Sequence, residues 1–111
     1  MFVRIYTGPD NQSHFEDLDI LPPGLETTDL QAVKGIIFAR RAPGNDMDWH
    51  HAPRRQYVIG LGGETEITVG DGSSRRLGPG SVLLAEDLTG QGHTLRVVSK
   101  DDRLTASMPL D

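Results

Sequence analysis

The 111-residue chain predicts an all-β, single-domain antiparallel sandwich or barrel. Three observations carry that prediction. Apolar and polar residues alternate over short runs, and no helical period is sustained. Thirteen Gly and seven Pro punctuate those runs, which favours short strands joined by turns. A mass of 12.1 kDa suits one core. It excludes a TIM barrel, which needs roughly 200 residues, and a cofactor domain beside a substrate domain.

Taken in order, residues 2–7 read as a first strand, stopped by the turn Gly8-Pro9-Asp10-Asn11. Residues 13–19 read as one helical turn or an irregular segment, and Pro22-Pro23-Gly24 closes them. Residues 31–42 hold Val33, Ile36, Ile37 and Phe38, a long β-leaning run that ends at Pro43-Gly44. A further run over 46–51 stops before Pro53. Residues 55–62 carry Tyr57-Val58-Ile59-Gly60-Leu61, apolar on both faces, the pattern of a buried strand.

Over 64–69 the alternation is plainest. Thr65, Ile67 and Val69 share one face, and Glu64, Glu66 and Thr68 share the other. Gly70-Asp71-Gly72-Ser73 then makes a tight hairpin, and Arg75-Arg76-Leu77 returns along it. Gly78-Pro79-Gly80 turns into residues 81–85. Residues 94–99 and 104–108 are two more strands, with Asp101-Asp102 between them. The total is about eight to ten short strands, with no repeat, linker or low-complexity segment.

Composition narrows the function. A hydrophobic fraction of 36% with 24% charged residues marks a globular chain, not a disordered one. The net charge of −5 and pI near 5.2 argue against a nucleic-acid partner. Most of the basic residues are Arg, three times as adjacent pairs: Arg40-Arg41, Arg54-Arg55 and Arg75-Arg76. Arginine grips carboxylate and phosphate well, although solvated surface charge is the ordinary use of such a pair. The absence of Cys excludes disulfides, thiolate nucleophiles and Cys-based zinc sites. No apolar run approaches the roughly 20 residues of a membrane span, and residues 1–6 lack a signal-peptide pattern, so the expected location is the cytoplasm.

The chemistry-bearing residues gather in two places. Asp48-Trp49-His50-His51 follows the Pro43-Gly44 turn, and His93 closes the Gly-rich loop Thr89-Gly90-Gln91-Gly92. The intervening hairpin doubles the chain back, so the two places can meet inside a barrel. Gly44, five residues, His50, His51, Ala52, three residues, Gln56, six residues and Gly63 form one spaced series. Pro79-Gly80 and His93 form a second.

These two series resemble the motifs of the cupin family, at about residues 44–63 and 78–97. The resemblance implies a small jelly-roll barrel, often dimeric, and a divalent metal (Zn, Ni, Fe or Mn). Cupins bind that metal with two His and a Glu from the first motif and one His from the second. Carried over, the pattern leaves His50, Gln56 and His93 as metal ligands. Ala52 stands at the second His position and Gln56 at the Glu position. His51 is a poor replacement for Ala52, because adjacent strand residues point to opposite faces unless a bulge intervenes.

The same residues also read as a metal-free polar pocket, since neutral His and Gln both donate and accept hydrogen bonds. In either reading His50 and His93 are the candidate acid–base residues. Glu86-Asp87 supplies a carboxylate to fix an imidazole tautomer or act as base, with Glu86 as the candidate; two solvated loop acids are the plain alternative. Trp49 and Arg54 join Gln56 as candidate ligand-binding residues. Arg54 shares the Gln56 face and suits a carboxylate, whereas Trp49 also reads as a core aromatic. His14 receives no role. The expectation is a small-molecule site in the barrel mouth of a homodimer, either a metal-dependent isomerase, lyase or oxygenase or a non-catalytic metabolite-binding module. A purely structural oligomerisation module would not explain His and Gln at ligand spacing.

Overall fold

The computed structural model describes residues 1–111 as ten strands without a helix. They are β1 (Phe2–Thr7), β2 (Ser13–Leu18), β3 (Ile37–Arg41), β4 (Met47–His50), β5 (Gln56–Gly62), β6 (Thr65–Thr68), β7 (Ser74–Leu77), β8 (Val82–Glu86), β9 (His93–Val97) and β10 (Arg103–Pro109). Six form one sheet in the order β2-β1-β8-β5-β10-β3. Four form the second, β4-β9-β6-β7. All pairs are antiparallel except β1 with β8, which run parallel.

The core forms where the two inner faces meet. Val3 and Ile5 on β1 are fully buried, and Leu83 and Ala85 of β8 lie beside them. Ile67 and Leu77 complete the cluster from the smaller sheet, with Val69 just past β6. The alternation over 64–69 is realised as read: Thr65, Ile67 and Val69 are buried. Burying each such aliphatic side chain stabilises the fold by about 1.5–3 kcal/mol.

Three segments differ from the sequence reading. Residues 13–18 form a strand instead of a helical turn. They pair with β1 along its full length, from Thr7↔Ser13 to Phe2↔Leu18, and cross-strand pairing outweighs local propensity. The long run over 31–42 contributes only β3, because only residues 37–41 ladder onto β10, while Lys34 N makes one isolated bond to the Pro109 carbonyl. Strand β5 is half-buried: Tyr57, Val58 and Ile59 are partly covered, and Leu61 is 52% exposed. Its neighbours β8 and β10 flank its edges and leave its outer face open. No helix of the structure is long and apolar enough to cross a membrane.

The large sheet ends at β3, whose far edge is unpaired. Ile36, Ile37 and Phe38 are all about half exposed or more there, Phe38 to 71%.

Candidate functional site

A cavity of about 240 Å³ lies between the sheets. Strand pairing brings its two imidazoles together. His50 of β4 is the cross-strand partner of His93 of β9, and their ring centroids are 4.4 Å apart, edge to face. Plain alternation does not put both Met47 and His50 on the cavity side, since three positions separate them. A register shift between these two residues re-aims β4, and both line the cavity. Gly92 permits the close approach of the incoming loop. Its φ is +76°, and a Cβ there would strike the His50 carbonyl.

Each ring is held through Nδ1. His50 Nδ1 lies 2.7 Å from the Asp48 carbonyl oxygen. A carbonyl only accepts, so Nδ1 carries the hydrogen and Nε2 keeps its lone pair. His93 Nδ1 donates to Asp87 Oδ2 at 2.6 Å, with the same consequence. Ser13 Oγ donates to the same Oδ2 at 2.7 Å. Asp87 is 0% exposed, and its Oδ1 has no partner. The carboxylate is therefore committed to orienting His93. Burial holds the His50 pKa below 6.5, and the neighbouring His93 and Arg41 push the same way, against the Asp48 carbonyl and Asp87.

Not every sequence candidate reaches the cavity. Glu86 sits one residue past Ala85 and on the opposite face of β8, so it points away. There it accepts from Arg55 Nε at 2.5 Å and Arg4 Nε at 2.6 Å. Burial alone would raise its pKa, but the bonds from Arg55 and Arg4 together hold it below the ordinary value. The carboxylate beside a histidine is Asp87, the other member of the Glu86-Asp87 pair. Trp49 is 43% exposed on β4 and belongs neither to the core nor to the cavity wall. His51 is exposed, whereas Ala52 is buried in the wall. His14 is engaged with Asp10 at 2.9 Å, outside the cavity.

Gln56 lines the cavity and is buried, and Arg54 Nη1 donates to its Oε1 at 3.1 Å. Arg54 itself stays exposed and acts on the cavity only through Gln56. These contacts decide whether the residues suit a divalent metal. His50 and His93 each present a ligand-competent Nε2. The third donor is a neutral amide oxygen already engaged by a guanidinium, and the fourth position is the methyl group of Ala52. No group of three His, Cys, Asp or Glu side chains is placed to hold a metal ion. Two imidazoles without an anionic ligand do not fit a tightly held divalent ion.

The cavity wall is also basic. Arg40, Arg41 and Arg103 line it, and no Asp or Glu does. Arg103 is 5% exposed, and its Nη1 donates to the Gly62 and Gly63 carbonyls at 3.3 and 3.1 Å. Sequence reading missed Arg103, which resembles any charged residue after an Asp-Asp turn. It also missed Ser13, whose partner lies 74 positions away.

No family model matches the chain, and no curated protein matches it. Among solved structures it is similar to a conserved Klebsiella pneumoniae subsp. pneumoniae protein with a double-stranded β-helix domain. The identity is 21%, with 74% of this chain and 77% of that one covered, at a TM-score of 0.53. A Pseudomonas putida prolyl-4-hydroxylase aligns more loosely, at 18% identity and a TM-score of 0.46, over 68% of this chain and 49% of that one. The first likeness establishes the double-stranded β-helix, or cupin-type, fold.

Proposed function

We propose that the protein takes a small polar metabolite into the cavity between its sheets and transfers a proton to or from it through His93. The single observation that carries this reading is the fully buried Asp87 behind His93. A carboxylate bonded to Nδ1–H keeps the imidazole in one tautomer and one orientation. Its Nε2 lone pair is then free to accept a proton from a ligand. His50, held neutral by burial, accepts a hydrogen bond beside it and orients the same ligand. Fold alone does not choose the chemistry, so the argument rests on these side chains.

A resident divalent metal is not part of this reading. Arg54 holds the amide oxygen of Gln56, and Ala52 offers no donor. A cavity of about 240 Å³ admits only a small ligand. The second reading is a non-catalytic metabolite-binding module. It is favoured by the cavity wall, half of whose lining residues are hydrophobic and which suits binding of a compact ligand.

The test is carbon-bound deuterium incorporation in D2O, followed by proton NMR over a panel of small oxo acids, hydroxy acids and sugars. The expected result is catalysed exchange in at least one compound, lost in His93→Gln and reduced in Asp87→Asn. Binding without exchange would favour the second reading. Exchange that survives in His93→Gln would remove His93 from the proposed role.

A further inference from the structure

Two arginines share the cavity without a carboxylate between them. Arg103 of β10 and Arg41 of β3 are direct cross-strand partners in an antiparallel pair, and both line the cavity. Directly opposed side chains project to one face with Cβ atoms about 4.5–5.5 Å apart, and like charges there repel. Neither residue makes an ion pair within 4.0 Å. Arg41 Nη1 reaches only the Asn45 carbonyl, at 3.1 Å. The carboxylate nearest in influence to Arg103 is Glu64, which is itself engaged by Arg76 at 3.6 Å.

The protein spends backbone geometry to keep Arg103 there. Its guanidinium lies over Gly60, where an added Cβ would fall 2.8 Å from Nη2 and also strike the Gly78 carbonyl. Two carbonyls receive Nη1, yet Nε is buried with no partner at all. A desolvated cation with an idle N–H is costly to maintain unless a ligand supplies the missing acceptor. The guanidinium fork suits a planar carboxylate or a phosphate.

We propose that Arg41 and Arg103 form an oxyanion subsite, so that the ligand is a small organic acid or phosphate whose remainder extends toward His50 and His93. This deepens the proton-transfer reading and rests on the same cavity. It also adds to His50 a charged clamp that fixes the ligand's position before the proton moves. Arg40, exposed and paired with Asp102 at 3.6 Å, stands at the cavity edge and attracts the same charge from outside.

The test is calorimetric titration with succinate, its uncharged diamide succinamide, and inorganic phosphate, on the wild type and three variants. The variants are Arg41→Gln, Arg103→Lys and, as a control outside the cavity, Glu86→Gln. Arg41→Gln removes a partly exposed side chain and leaves the core intact. Arg103→Lys keeps the buried charge but loses the fork. Circular dichroism checks that both are folded. The expected result is that succinate or phosphate binds and succinamide does not. Affinity falls at least tenfold in both arginine variants and stays within about twofold in Glu86→Gln, whose side chain lies outside the cavity. Preference for succinate assigns a carboxylate, and preference for phosphate assigns a phosphate. Equal binding of succinamide and succinate, unaffected by the arginine variants, overturns the subsite and leaves the cavity reading standing. If none of the three probes binds, the subsite is overturned, and the cavity reading is judged separately by the exchange assay.

Discussion

Replacing Asp87 with Ala removes the one acceptor shared by Ser13 Oγ and His93 Nδ1. Both donors are buried, at 2% and 5% exposure, so water cannot replace the lost partner. A buried donor left unpaired costs about 1–3 kcal/mol, and the bond to the carboxylate belongs to the stronger, charge-assisted class. Some of that is offset, because the variant no longer buries a carboxylate with an idle Oδ1. The backbone bond from Ala52 N to the Asp87 carbonyl is untouched. The net expectation is a loss of about 3 kcal/mol, a large share of the roughly 5–15 kcal/mol typical of a domain. With a urea slope near 1.5 kcal/mol/M, the unfolding midpoint falls by about 2 M. Nitrogen-15 NMR of the histidine rings reads the second consequence: His93 loses its fixed Nδ1–H form and shows a tautomer mixture. Asp87→Asn, which keeps one amide oxygen as acceptor, falls between wild type and Asp87→Ala. A midpoint shift worth less than about 1 kcal/mol, with Nδ1–H retained, would refute the assignment of Asp87 as the residue that orients His93.

Three further outcomes follow from the same geometry. Glu86→Gln weakens two partly exposed ion pairs, so it should cost only about 0.5–1 kcal/mol in a urea melt and leave deuterium exchange unchanged; a tenfold loss of exchange would return Glu86 to the site. His50 has its folded pKa depressed below 6.5, so it contributes stability above that pH, and this is lost as pH falls because the unfolded chain takes the proton first. Urea midpoints should therefore drop between about pH 7 and pH 5.5, and less steeply in His50→Gln; identical slopes would contradict the burial argument. The expected homodimer is proposed to form across the open edge of β3, where a second copy would cover Ile36, Ile37 and Phe38. Light scattering should then give twice the chain mass for wild type and the single mass for Phe38→Glu, and a wild-type monomer would end that proposal.

Much of the fold was legible in local sequence. The alternation over residues 64–69 and the Gly70–Ser73 turn fix a register that cannot slip by one residue without exposing Ile67 and Val69. The motif spacing brought His50, Gln56 and His93 to one cavity. What local pattern did not carry was orientation. Glu86 and Asp87 are adjacent acids, and the sequence reading takes Glu86 as the candidate. The strand holds Glu86 on its outer face, against Arg4 and Arg55, and the loop that follows turns Asp87 inward. Trp49 reads as a core residue by composition, but the register shift in β4 gives the inward direction to its neighbour His50.

Alternation and turn chemistry are properties of neighbouring residues, which is why the strands and their punctuation could be read before any partner was known. Burial, ion pairing and the fate of each charge depend on residues far apart in the chain. Arg103 meets Arg41 only because β10 pairs with β3. Ser13 reaches Asp87 across 74 positions, and Arg4 reaches Glu86 across 82. Period-two patterning therefore specified the sheets. Only their packing decided which charges face the cavity, because strand order and a one-residue bulge set which partner stands opposite each side chain.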